Sequence, residues 1–234
     1  MRAMVLAAGR GQRMRPLTDA TPKPLLEVAG ETLLARHLRR LAAAGIREVV
    51  INHAWLGEQV EAAVGGGGAW GLRVRYSPEE PALETGGGIT AALPLLGEEP
   101  FVVVNGDVFT DFPFEQLPAE PDGLGHLVLT PNPDHHAGGD FGLAGGRVRT
   151  DGETSYTYTG IAVLRPALLA GRPRSPFPLG PLLKEAAERD ELAGELFTGE
   201  WNDVGTPERL AALRRRHGDG NCYSSHGGGK HGGE

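Results

Sequence analysis

Positive charge is concentrated in one short stretch of this 234-residue chain, directly after its first apolar run: MVLAAGRGQRMRPLTDATPKPLLEVAG. Gly9-Arg10-Gly11-Gln12-Arg13 follows the apolar residues, and Lys23 stands between Pro22 and Pro24. Glycines after a strand let backbone N–H groups turn toward an anion, and a helix start behind them adds a favourable dipole. Lys23 is one of three lysines in a chain that otherwise relies on arginine. Prolines on both sides restrict the backbone and fix where its compact charge lies. A phosphate chain suits such a group; a solvated surface loop is the plain alternative. Two familiar phosphate motifs do not apply. The dinucleotide fingerprint fails because Met14 occupies its third glycine position and Asn52 stands where the second strand should end on an acid. The P-loop pattern is absent.

A second glycine cluster, Glu84-Thr85-Gly86-Gly87-Gly88, opens a helical segment. Each glycine there costs roughly 1 kcal/mol in helix propensity relative to alanine. Close approach of a flat ligand to bare backbone would justify that cost; a flexible helix start is the alternative. Gly65 to Gly68 stands apart from other signals and reads as a linker. Two isolated carboxylates complete the set. Asp107 ends the apolar run FVVVNGD, and Asp203 lies in WNDVGTP before a helix. A carboxylate just beyond a buried parallel strand stands in the crevice where open α/β sheets bind ligands. Mg²⁺ takes one or two carboxylates and completes its shell with water and phosphate oxygens. Either aspartate alone could equally serve a turn or a cap.

The elements that must position these residues alternate regularly. Strand-type runs at Ala3 to Ala7, Glu48 to Asn52, Leu72 to Tyr76 and Phe101 to Asn105 are separated by helical spacing at Thr32 to Ala44, Leu56 to Val64 and Thr90 to Leu96. The run FVVVN does not alternate, which predicts a strand buried on both faces. This pattern predicts an α/β fold of Rossmann-like type: a mixed, mainly parallel sheet with helices on both faces. After about Gly125 strands at His126 to Thr130, Gly142 to Arg149 and Tyr156 to Leu164 lack long helices between them. That predicts a small antiparallel extension carrying a substrate pocket, closed by helices at Leu179 to Glu188 and Pro207 to Arg216. The expected organisation is one domain over residues 1–217, in two parts, 1–124 and 125–217. The Gly/His-rich segment 218–234 has little to bury and is expected to be disordered. His217, His226 and His231 have no tight metal-ligand spacing.

A net charge of −7 argues against a nucleic-acid partner and makes the local basic cluster a site for a small anion. One cysteine, Cys222, excludes an internal disulfide framework. No apolar run reaches membrane-spanning length, and Met1 leads straight into strand-like sequence, so a cytoplasmic protein with no membrane partner is expected. Oligomeric state is not legible here.

The opening M-x-L-A-A-G-x-G-x-R-M-x-P-L-T…P-K-P-L, the V-N-G-D at a strand end and the late W-x-D-V-G-T-P resemble the sugar-1-phosphate nucleotidyltransferases. The resemblance covers residues 1 to about 215, with the motifs in the family's order. INHAWLGEQVE, YSPE…LETGGGI, VNGDVFTDF, HLVLTPNPDHHAGGDF and YTGIAVL are most similar to bacterial members that use UTP to uridylylate N-acetylmuramic acid 1-phosphate in cell-wall recycling. A mannose- or glucose-1-phosphate nucleotidyltransferase using another NTP is the alternative within the family, and a non-catalytic sugar-nucleotide sensor the alternative outside catalysis.

The resemblance makes 1–124 the nucleotide-binding part and 125–217 the sugar-binding part, and implies roles residue by residue. Ala8, Gly9, Gly11, Gln12 and Arg13 would hold the nucleoside triphosphate, with Lys23 on its phosphates. Pro78, Glu84, Gly86 and Gly87 would lie against base and ribose. Asn105, Asp140, Glu153 and Thr159 would face the sugar. Asp107 and Asp203 would bind Mg²⁺, and Arg13, Lys23 and Asp107 would carry catalysis. Many larger relatives place a lysine on the sugar phosphate, but residues 138–158 contain none. That cation is therefore unassigned, with Arg147 and Arg149 as candidates.

Overall fold

A computed structural model describes residues 1–152 and 154–218. The expected disorder of the tail falls, from residue 219 on, outside the described residues, as do Cys222, His226 and His231. Along the chain, β1 (Arg2–Leu6) leads into the glycine-arginine loop, a single turn α1 (Leu17–Ala20) and a two-stranded ladder of β2 (Glu27–Val28) and β3 (Glu31–Thr32). Then follow α2 (Leu33–Ala43), β4 (Glu48–His53), α3 (Gly57–Val64), β5 (Arg73–Pro78), α4 (Glu84–Leu96) and β6 (Phe101–Asn105). The second part holds β7 (Val108–Thr110), β8 (Gly125–Thr130), β9 (Gly142–Ala144), β10 (Arg147–Arg149) and β11 (Thr157–Leu164). It ends with α5 (Leu179–Glu188), β12 (Leu192–Leu196), β13 (Trp201–Asp203) and α6 (Pro207–His217).

Nine strands form one sheet in the order β5-β4-β1-β6-β11-β8-β12-β10-β9. β5, β4, β1 and β6 are parallel, as the alternating pattern predicts. β11 then runs antiparallel to both β6 and β8, and β12 lies parallel to β8. The antiparallel part is thus a continuation of the main sheet. The chain leaves β1 toward β4 on one side and returns to β6 on the other, so the topological switch point lies between β1 and β6. Ligands of open α/β sheets bind at the carboxyl ends of strands at such a point.

Both faces of the sheet are covered. Ala3, Val5, Val49, Ile51, Val102 and Val104 pack under Leu34, Leu38, Leu41 and Val60 of α2 and α3. Met4, Val50, Val103, Ala162 and Leu164 pack under Ile89, Leu96, Leu182 and Leu183 of α4 and α5. Continuous apolar runs such as FVVVN are the consequence. A third, smaller core joins Met14 and Leu33 to Phe109, Val204, Leu210 and Leu213, tying α6 to the opening loop. Among the described residues, no helix is long and apolar enough to cross a membrane.

Three local expectations are corrected. Gly142 to Arg149 is two strands turning at Gly145-Gly146, both at positive φ (58° and 76°). The helix after β5 begins at Glu84, ahead of the strongly apolar residues from which its spacing was read. β12 is an added strand, central in the second half, whose Gly194 and Glu195 disguise it in the sequence.

Candidate active site

The opening loop is held from three sides. Ala7 N–H donates to Asn52 Oδ1 at 2.9 Å, fixing the exit from β1 against β4. Gly11 sits at φ 66°, and its carbonyl accepts a hydrogen bond from Thr18 Oγ1 at 2.8 Å. A Cβ on Gly11 would stand 3.0 Å from Thr18 and 3.3 Å from the Lys23 Cβ, so the turn needs glycine for both conformation and space. Met14 is fully buried and anchors the far side. Between these fixed points Gln12 and Arg13 remain at or near the surface, and Arg13 forms no ion pair among the described residues.

Lys23 is only 8% exposed, in the turn that the flanking prolines shape. A buried ammonium needs a partner, and Lys23 Nζ donates to the Asp107 carboxylate. Asp107 follows β6 directly and keeps part of its side chain exposed. Asn105, the last residue of β6, is pressed by Gly160 of β11, where a Cβ would come within 2.5 Å of Asn105 Nδ2. Gly160 at φ 78° marks a register shift in β11 between Tyr158 and Ala162. These groups surround a cavity of about 420 Å³ at the switch point. Its lining includes Ala8, Gly9, Gly11, Gln12, Arg13, Lys23, Glu84, Asn105 and Asp107, all of them expected from the sequence.

Asp203 reaches the same region by strand pairing. β13 is antiparallel to β7 with Asp203 opposite Val108, and Val204 N–H donates to the Asp107 carbonyl at 3.1 Å. The two aspartates are therefore neighbours across a short ladder, although Asp203 does not line the cavity itself. Asp203 Oδ1 is held by Arg209 Nη1 at 2.5 Å and by His135 Nε2 at 2.9 Å. Among the described residues, no group of three or more His, Cys, Asp or Glu is arranged around one point. Both carboxylates are partly exposed and each is paired with a cation of the chain; a pair of carboxylates of this kind is what a hard cation such as Mg²⁺ takes, with phosphate and water as its remaining ligands.

Other expected residues stand elsewhere or are engaged. Gly86 and Gly87 donate their N–H groups to the Phe177 carbonyl at 3.0 and 3.2 Å. A Cβ on Gly86 would meet the Phe177 ring at 2.3 Å, one on Gly87 the Ser175 carbonyl at 2.2 Å, and one on Gly88 Glu79 Oε1 at 2.5 Å. The glycine run thus admits close approach by the chain itself: by Ser175 and Phe177 of the second half at Gly86 and Gly87, and by Glu79 at Gly88. Pro78 ends β5 and is exposed outside the cavity. Thr159 is 1% exposed and does not face a sugar: its hydroxyl donates to the Val128 carbonyl and accepts from Ile161 N–H. Asp140 bonds Tyr158 N–H and His136, bracing the loop ahead of β11, and burial together with the Asp140 charge pushes the Tyr158 phenol up. Arg147 and Arg149 lie near the far edge of the sheet, bound to Asp190, with Asp122 also on Arg147. Glu153 lies outside the described residues.

The sequence reading gave Asn52 no ligand role, yet it lines the cavity, as does Thr85 of the second glycine cluster singled out above. Asn52 is 2% exposed and bridges Ala7 N–H to Glu79 Oε1, while Glu79 Oε2 accepts from Leu83 N–H at 2.7 Å. A polar residue ending an otherwise apolar strand was the signal available. Glu84 lines the cavity at φ 59°, a left-handed conformation uncommon for glutamate.

The fold and cavity define an open α/β protein with a ligand-sized site at its topological switch point, lined by both cations and carboxylates. The chain belongs to the nucleotidyl transferase family, whose model matches residues 2–144. It is 49% identical over 220 residues to N-acetylmuramate alpha-1-phosphate uridylyltransferase of Neisseria meningitidis, covering 90% of this chain and 95% of that protein. The Caulobacter vibrioides enzyme of the same name is 38% identical over 92% of this chain and 96% of its own length. A mannose-1-phosphate guanylyltransferase of Mycobacterium tuberculosis is 43% identical over 115 residues, 49% of this chain and 32% of that protein. The inositol-1-phosphate CTP transferase of T. maritima shares the fold, with a TM-score of 0.74 at 18% identity over 94% of this chain and 96% of that one.

Proposed function

We propose that this protein transfers a uridylyl group from UTP to N-acetylmuramic acid 1-phosphate, giving UDP-N-acetylmuramic acid and pyrophosphate, as a step in reusing cell-wall sugars in the cytoplasm. The observation that carries the reading is the full-length likeness to two enzymes of that name, at 49% and 38% identity. The cavity's charged groups agree with it.

The chemistry needs no general base. A phosphate oxygen of the sugar phosphate is already ionised at neutral pH and attacks the α-phosphorus of UTP. A new phosphorus–oxygen bond forms, the α–β bridging bond breaks, and its electrons leave with pyrophosphate. The obstacle is bringing two polyanions into line, so positioning and charge neutralisation carry the catalysis. The loop from Ala8 to Gly11 supplies backbone N–H groups for the triphosphate. Arg13 and Lys23 stabilise charge moving onto pyrophosphate. Asp107 holds Lys23 in place. Asp107 and Asp203 are the residues that would hold Mg²⁺, which when bound would neutralise phosphate charge between the reactants.

The test is pyrophosphate release with Mg²⁺ across UTP, GTP, dTTP and CTP against the 1-phosphates of N-acetylmuramic acid, N-acetylglucosamine, glucose and mannose. Turnover confined to UTP with N-acetylmuramic acid 1-phosphate is expected. Preference for GTP with mannose 1-phosphate would overturn the substrate reading and keep the family's chemistry.

A further inference from the structure

The two site carboxylates carry separate cations. Lys23, from the opening loop, sits on Asp107, and Arg209, from the first turns of α6, sits on Asp203. The Arg209 guanidinium also lies against Gly205, a wall of the cavity: a Cβ there would meet Arg209 Nη2 at 2.3 Å. Its other neighbour is His135, in the loop that follows β8, with Nη1 and Nε2 2.6 Å apart. Arg209 therefore stands where α6, the cavity wall and the second half of the sheet meet. Its side chain keeps 19% of its surface exposed, enough to receive a ligand. Arg209 stands behind Gly205 and does not itself line the cavity, whose lining cations, Arg13 and Lys23, come from the opening loop. Arg147 and Arg149 are bound to Asp190 near the far edge.

We infer that Arg209 receives the phosphate of the sugar 1-phosphate, an inference that rests on the sugar-nucleotidyl-transfer reading above. A guanidinium is planar and presents paired N–H donors that match phosphate oxygens. Helix α6 fixes its base: Thr206 caps the N-terminus, and Leu210 and Leu213 on either side of the next turn are buried. Gly205 is required because any side chain would displace the guanidinium. Asp203 holds the group in register before substrate arrives, and His135 flanks it on the side of the second half. Lys23 and Arg209 thus divide the work, one for each reacting phosphate.

The experiment uses the full chain with Arg209→Met and Arg209→Lys, read by steady-state kinetics and calorimetry. The sugar 1-phosphate probe is whichever of the four named above the wild type turns over. Arg209→Met should raise KM for that probe about tenfold or more, the size of a lost charge-assisted hydrogen bond. KM for the nucleotide should stay within about twofold, and Arg209→Lys should recover part of the loss. Calorimetric affinity for the sugar 1-phosphate should fall, while any affinity for the unphosphorylated sugar stays unchanged. An unchanged KM for the sugar phosphate, or an equal rise for the nucleotide, overturns the inference. A changed Mg²⁺ requirement with unchanged sugar KM would make Arg209 only a clamp on Asp203 and likewise overturn it. If the wild type uses another sugar, the substrate reading fails and Arg209 is judged with that sugar. If it uses none, both fail.

Discussion

Nothing stands within 4 Å of where a Cβ on Gly9 would lie, whereas one on Gly86 would meet the Phe177 ring at 2.3 Å. The first cluster, after β1, lines the cavity with Gly9 and Gly11; the second, at the start of α4, reaches it only through Glu84 and Thr85. The first leaves backbone open toward the cavity. In the second, the N–H groups of Gly86 and Gly87 are already taken by the Phe177 carbonyl. Glycine richness at a site thus has two meanings: room for a ligand, or room for the chain to close on itself. The same composition serves both, and only the neighbours tell them apart.

Substitutions on the two sides should therefore fail differently. The largest effect belongs to the open side: Asp107→Asn is expected to abolish pyrophosphate release in a protein that still folds, with a lowered melting temperature because buried Lys23 loses its charged partner. Near-normal rates would remove Asp107 from the chemistry. Lys23→Ala should lower kcat/KM about a hundredfold, roughly 3 kcal/mol of transition-state stabilisation; a loss under threefold would make it a packing residue.

Acid sharpens the contrast from the scaffold side. His37 on α2 is fully buried, packed edge-on against Phe114, and burial pushes its ring down to about 4 from an ordinary 6.5. The native ring is neutral, so the unfolded chain binds a proton that the folded one refuses. Stability is then fully present above pH 6.5 and falls as pH drops toward 4, by up to about 3 kcal/mol. Denaturant midpoints at pH 7 and pH 5 check this, and His37→Leu should flatten the difference. On the crowded side, Gly87→Ala should cost about 1–3 kcal/mol of folding stability through overpacking, visible as a lowered melting temperature before any kinetic change. The smallest effect is on the open side again. Gly9→Ala should change stability by less than about 0.5 kcal/mol while raising KM for the triphosphate. If Gly9→Ala unfolds the protein and Gly87→Ala does not, the contrast is wrong.

Much of this was legible before any coordinates. The parallel half follows from strict alternation of apolar runs, because strands buried on both faces have no freedom to carry polar residues. The loop residues Gly9, Gly11, Arg13 and Lys23 were visible because their types are costly or rare in such positions. The second half was harder. Residues 192–196 hide a strand, since Gly194 accommodates Val148 and carries no apolar signal of its own. The triple glycine was visible but its purpose was not, because Ser175 and Phe177 lie some ninety residues downstream. Thr159 looked available for a ligand, yet a shift in strand register turns its hydroxyl onto Val128. Such effects depend on which distant segments meet, and no local pattern records that.

β11 has a consequence of its own. One strand, Thr157–Leu164, is bonded on one edge to β6 and on the other to β8. It is the seam between the two halves of the molecule, and a hydrogen-bonded ladder resists both hinge and shear. The two halves therefore share one continuous ladder, and their relative placement is set when the sheet folds. The sheet thus acts as a fixed gauge beneath the loops at its carboxyl edge.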